Sequence, residues 1–237
     1  MKKSKVELIS LLALLLLMSS PVWAENPFLN LVNGTRICFS HIAIVDGWET
    51  EIAVINPTAE TVNGSLAFFD QAGNRLGEEV PVTLKPHGRY EAEVGAVFGN
   101  RGRIEYMIFS SSVYGIKGYS KFYNSGIRAS IMASEPQKTG LFTKIETSGW
   151  TGIAFVNTAS TTAHVTLTAY DNDGILIAEK TLEVAAGNKV VNIVENIFAP
   201  QPVAGATYVS FVSDQNIVGF FLNGSSDNAL LDGSKAL

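Results

Sequence analysis

Along most of this chain apolar and polar side chains alternate with a period of two. Residues 52–55, 65–69, 103–109 and 165–170 are β-branched and aromatic runs of strand length. Turn chemistry separates them: Asn56-Pro57, Asp70-Gln71-Ala72-Gly73, Lys85-Pro86-His87-Gly88, Asp171-Asn172-Asp173-Gly174 and Ala185-Ala186-Gly187-Asn188. The pattern predicts short strands joined by turns at intervals of about ten residues, with no long amphipathic helix. Only Val94–Phe98 and Val194–Phe198 read as single helical turns, at matching places in the two halves of the chain.

Those halves are related. The segment starting at Gly47-Trp48 returns about a hundred residues later at Gly149-Trp150. With one residue deleted after the Trp, Thr50-Glu51-Ile52-Ala53-Val54-Ile55-Asn56 lies over Thr151-Gly152-Ile153-Ala154-Phe155-Val156-Asn157. The same register carries Leu66 onto Leu167, Phe69-Asp70 onto Tyr170-Asp171 and Gly73 onto Gly174, and short gaps bring Gly88 onto Gly187 and Phe98 onto Phe198. The chain reads as two copies of one unit, residues 36–133 and 141–237. A segment at 25–35 precedes them and a short polar connection at 134–140 joins them.

About seven antiparallel strands per copy must bury one face of each sheet against another sheet. The expected fold is all-β, with two tandem immunoglobulin-like antiparallel β-sandwich domains after a signal peptide; a single larger barrel made by both copies is the other arrangement the pattern allows. The Gly-Trp pair, the Thr-x-apolar strand ending in Asn and the later Asp-x-x-Gly turn resemble a repeat of uncharacterised secreted bacterial proteins. That resemblance implies an extracellular sandwich repeat and no assigned chemistry.

The first residues carry Lys2, Lys3 and Lys5, then an apolar run over 8–18, then Ser19-Ser20-Pro21-Val22-Trp23-Ala24. This is the layout of a secretory signal peptide over residues 1–24, with cleavage expected after Ala24; an uncleaved anchor is the alternative. Removing Lys2, Lys3, Lys5 and Glu7 takes 17 basic and 22 acidic residues to 14 and 21, so the exported chain has a net charge of −7. An acidic chain offers no electrostatic footprint for nucleic acid, and no later run is long enough for a membrane span. The expected location is exported: extracellular, cell surface or periplasmic. With one Cys and three separated His, the sequence suggests no metal site and no cofactor. Cys38 reads as a small buried hydrophobe, and the Asp171–Gly174 stretch, which resembles half a calcium loop, reads as a hairpin turn.

Trp48 and Trp150 each follow a Gly at a strand entrance, where an indole can plug a core or stack on a sugar ring. The first copy also carries Tyr114 and Tyr119, without aromatic counterparts in the second copy, near Arg101, Arg103, Lys117 and Lys121. These form a candidate aromatic and basic binding face. His41, His87 and His164 lie in no recognisable catalytic frame, so the chain is expected not to be an enzyme. The reading is an exported non-catalytic module, cell-surface, matrix or adhesive, that binds a protein or glycan and can self-associate through edge strands. A carbohydrate-binding protein using the aromatic residues of the first copy is the alternative. A periplasmic pilus-type chaperone with Arg36 as carboxylate anchor is a further one.

Overall fold

The computed structural model describes residues 34–227 and 229–237. The expected signal peptide and nearly all of the 25–35 segment lie outside these residues. The described chain is all-β, 55% strand and 6% helix, and its sheets are antiparallel. Among the described residues no helix is long and apolar enough to cross a membrane.

The first copy contributes β1 (Thr35–Phe39), β2 (Glu49–Ile55), β3 (Val62–Phe69), β4 (Val80–Leu84), β5 (Arg89–Glu93), α1 (Val94–Phe98), β6 (Tyr106–Ser111), β7 (Lys117–Asn124) and β8 (Ile127–Met132). They form two four-stranded sheets, ordered β1-β6-β3-β4 and β5-β2-β7-β8. The second copy contributes β9 (Gln137–Phe142), β10 (Gly149–Asn157), β11 (Ala163–Tyr170), β12 (Leu176–Val184), β13 (Lys189–Ile193), α2 (Val194–Phe198), β14 (Tyr208–Ser225) and β15 (Leu231–Lys235). The same pairings recur. β14 does the work of both β6 and β7, pairing β9 and β11 through its first half and β10 and β15 through its second, which merges two sheets into one. Each copy thus has one strand segment more than the sequence pattern predicts; β15 is short and weakly apolar, whereas β8 alternates Ile127, Ala129 and Ile131 with Arg128 and Ser130. β9 also begins inside the stretch expected as a connection.

The repeat motif has a physical explanation in Asn56 and Asn157, both fully buried at the ends of β2 and β10. Asn157 Nδ2 donates to the carbonyls of Thr161 at 2.8 Å and Val184 at 2.8 Å, and its Oδ1 accepts from the Ala159 amide at 2.9 Å. Asn56 does the same with Glu60, Lys85 and Thr58. Each side chain latches a turn that no strand ladder satisfies. Asn157→Ala is expected to destabilise the chain by about 2–4 kcal/mol, since two carbonyls and one amide lose their partner in a dry site; urea unfolding measures it, and a loss under about 0.5 kcal/mol would contradict it.

Each copy has its own core. Phe39, Phe68, Phe109 and Ile52 belong to the first and Phe142, Phe155, Phe211 and Ile153 to the second. Two further clusters join the copies: Cys38, Ala67, Phe69, Tyr106 and Ile108 meet Val156 and Val218, while Phe122, Ala129 and Ile131 meet Ala154 and Phe220. By alternation along the strands, the second copy places the outer face of β10 and β14, with Lys189 at the start of β13, on the outer face of β1, β3 and β6.

The register explains why the copies differ. Val218, Phe220 and Leu222 of β14 occupy the places of Lys117, Tyr119 and Lys121 of β7, so Tyr119 does have an aromatic counterpart, which the sequence alignment missed. On β13, Lys189, Val191 and Ile193 replace Arg89, Glu91 and Glu93 of β5. A face that meets water in the first copy becomes a junction in the second at Lys189, Val218 and Phe220, while Val191 and Ile193 stay exposed.

Candidate functional site

At one end of this junction the two tryptophans converge. In the first copy Asp46 (φ 55°) and Gly47 (φ 83°) make a left-handed turn that Asn124 holds through the Asp46 carbonyl, which brings Trp48 beside Phe122, centroids 6.1 Å apart. In the second, Trp150 lies within β10 across from Gly224, and a Cβ on Gly224 would come within 2.2 Å of its indole. Only a glycine there lets the ring lie down on the sheet, over Gly224 and toward Gly152. Both indoles are half-buried. They line one open groove of about 390 Å³, together with His41, Ala43, Phe122 and Ile127 from the first copy and Leu222, Leu230 and Leu231 from the second.

Beneath the groove sits a polar cluster that the sequence did not announce. The Lys189 side chain is 1% exposed. Its ammonium donates to the Glu105 carbonyl at 2.8 Å, to Glu105 Oε2 at 3.2 Å and to His41 Nδ1 at 3.3 Å, which uses all three N–H bonds. Arg103 Nε donates to Glu105 Oε1 at 2.6 Å, completing a chain of charge across the junction. Nearby, the Tyr106 hydroxyl donates to the Gly187 carbonyl at 2.7 Å. A Lys after Gly187-Asn188 reads as a solvated turn residue. The one available signal was its alignment with Arg89 inside a strand whose other outer positions had turned apolar.

Burial, reinforced by the Lys189 charge, holds the His41 imidazole well below its ordinary value of 6.5. Burial likewise lowers Lys189, against the opposing pull of Glu105, and pushes the Cys38 thiol up to about 12, so Cys38 is a neutral packing residue. The His41 shift has a sign for stability. A folded-state value below the unfolded one means that the unfolded chain takes up the proton first as pH falls. Stability contributed by neutral His41 is therefore present above about pH 6.5 and is lost below it, by up to about 1.4 kcal/mol per pH unit until the folded-state value is passed. His41→Phe is expected to flatten urea-unfolding stability between pH 6.5 and 5, and an unchanged slope would refute the assignment. His164 shifts the other way, because Asp214 holds its proton at 2.9 Å, so His164→Gln serves as the control.

The structure divides the other candidate residues. The Arg101 guanidinium lies 4.4 Å from the Phe68 ring centre and donates to the carbonyls of Leu76 and Glu78. Arg103 is itself exposed and pairs with Glu105 from the solvent side, and Tyr114 is exposed in the loop after β6. Lys117 is exposed on β7 opposite Ile55. Tyr119 and Lys121 both turn to Glu51, the hydroxyl at 2.7 Å, and Arg89 donates to the same hydroxyl at 2.6 Å. Burial would raise the Glu51 carboxyl, but the hydrogen bonds from Lys121 and Tyr119 with the Lys121 and Arg89 charges outweigh it and hold it below its ordinary value. The face of β2, β5 and β7 is thus a lattice of paired charges. Arg36, on β1, donates to Ser110 Oγ at 3.4 Å. Asp171 Oδ1 accepts from the amides of Asp173 and Ile175 within its own turn. Among the described residues no group of three His, Cys, Asp or Glu side chains could hold a metal ion.

A larger hollow of about 580 Å³ lies by the Pro200–Gly205 loop, but small side chains dominate it and its Glu146 carboxylate is bound to Lys144 and Ser148. It brings no set of chemical groups together.

No family model matches the chain, and neither does any curated protein. Among solved structures, Thermotoga maritima 1070 aligns at 12% identity over 43% of this chain and 94% of that one, with a TM-score of 0.37. The Anabaena sensory rhodopsin transducer aligns at 19% identity over 35% of this chain and 92% of its own, with a TM-score of 0.31. Likenesses at this level carry no argument about fold or activity.

Proposed function

We propose that this chain is an exported, non-catalytic protein of two immunoglobulin-like β-sandwich repeats that serves as a cell-surface, matrix or adhesive module, and that it binds its partner in the groove between Trp48 and Trp150. The observation that carries this reading is the convergence of the two tryptophans, one from each repeat, on a single open apolar recess. Exposed apolar recesses lined by aromatic residues are the usual anchoring points of partners. Arg101, Arg103 and Lys121 of the first repeat are spent on internal partners, so the groove replaces the basic cluster as the binding face. The N-terminal run supports export, and the free edges of β4 and β12 offer strand pairing as a second mode of association.

The test is adherence of the labelled exported chain to cells of the producing type. Saturable binding that weakens at least tenfold in Trp48→Ala/Trp150→Ala, and survives in Lys117→Gln/Lys121→Gln, supports the groove. Equal binding by the double tryptophan variant overturns it. Carbohydrate binding is the second reading, favoured by the Trp150 ring lying along the sheet over Gly224 as a stacking surface. Saturable, tryptophan-dependent binding on a glycan array would replace a protein partner with a sugar.

A further inference from the structure

Besides its two indoles the groove has one polar side chain, His41, and the state of that side chain is specified. Lys189 has only donors, so His41 Nδ1, 3.3 Å from its ammonium, is the acceptor. The neutral ring then carries its proton on Nε2. No hydrogen bond to Nε2 occurs among the described residues, while the ring itself packs edge-on to Phe122, centroids 4.7 Å apart. His41 also lines the groove. The imidazole N–H therefore borders a recess otherwise walled by the two indoles, phenyl and aliphatic groups, whose lining side chains offer N–H donors and no acceptor.

Each ligand class meets this arrangement differently. A sugar would bring several hydroxyl donors into a recess whose lining side chains offer no acceptor, and each unpaired group costs about 1–3 kcal/mol. A phenylalanine side chain fits the walls but seals the imidazole N–H away from water without an acceptor. A cation is opposed by the Lys189 ammonium behind His41. A carboxylate would shed its water in an apolar recess with no cationic side chain on its lining. A phenol has a flat apolar ring for the tryptophans and one oxygen to accept the hydrogen bond.

We infer that the groove receives a tyrosine side chain of a partner polypeptide, its ring against Trp48 and Trp150 and its hydroxyl oxygen accepting from His41 Nε2. This deepens the reading of the groove as the binding face and rests on it.

The exported chain supplies its own probes, because Trp23 lies in the signal segment and leaves Trp48 and Trp150 as the two indoles. Their N–H signals in a nitrogen-15 NMR titration report occupancy directly. N-acetyl-tyrosinamide is expected to shift both signals and to bind about fivefold tighter than N-acetyl-phenylalaninamide, with the same order for p-cresol over toluene. His41→Phe should abolish that preference while leaving the apolar probe bound, and His41→Gln, which keeps a donor, should restore part of it. Equal binding of the phenolic and phenyl probes overturns the tyrosine assignment and leaves the groove as a binding face. Binding of p-cresol but not N-acetyl-tyrosinamide overturns a polypeptide occupant in favour of a small phenol. If no probe moves either indole signal, both the assignment and the binding-face reading fall.

Discussion

Glu105→Ala is expected to destabilise the chain by about 3–5 kcal/mol, because it strands a buried ammonium. Lys189 is fully enclosed by the junction, and Glu105 is its one carboxylate partner, at 3.2 Å. Without that carboxylate the charge keeps only a carbonyl and the His41 nitrogen. Urea unfolding at pH 7 should register the loss, with the folded chain releasing the Lys189 proton more readily than before. Replacing both partners, Glu105→Leu with Lys189→Leu, removes the charge along with its need and should recover most of the stability. A loss below about 1 kcal/mol in Glu105→Ala would mean that water reaches the ammonium and that the junction is looser than described.

The second large effect concerns the junction as a whole. Val218→Lys, Phe220→Tyr and Leu222→Lys together install on β14 the residues that β7 carries at the same register. Val218 and Phe220 are fully buried between the copies, so one ammonium group and one phenol hydroxyl would enter an apolar contact, while the half-buried Leu222 position brings the second ammonium to the groove wall. The cost, about 5 kcal/mol or more, falls on the junction and spares each copy's own core, which lies on the other side of the sheet. The expected product keeps its strand signal by circular dichroism but separates into two linked units. Small-angle scattering should show a larger radius of gyration, and the tryptophan emission should move to the red as the groove opens. An unchanged radius with unchanged emission would refute the assigned interface.

Much of the fold was legible because it depends on local chemistry. The short helices at Val94–Phe98 and Val194–Phe198 stand where the sequence places them, as do the turns at Gly73 and Gly174. β15 was not legible: Leu231 is its one large apolar residue, Asp232 and Ser234 are its outer positions, and its pairing comes from the neighbouring strand, not from its own pattern. Of the candidate site, Trp48 and Trp150 were found by the repeat. Their meeting was not, because nothing local says that β10 of one copy lies over β1 and β6 of the other. The basic cluster around Tyr119 looked available in sequence because Glu51, its neutralising partner, sits 68 residues away.

By itself, then, the sequence determined the strand class, the repeat and the turns, since side-chain alternation, glycine and asparagine act over a few residues. Only the tertiary structure decided which outer face of each copy is interior. Arg89 and Lys189 hold the same place on the same strand, one paired with acids in water and one sealed beneath a groove. What separates them is the desolvation imposed by a packed neighbour, a term that no residue carries in its own identity.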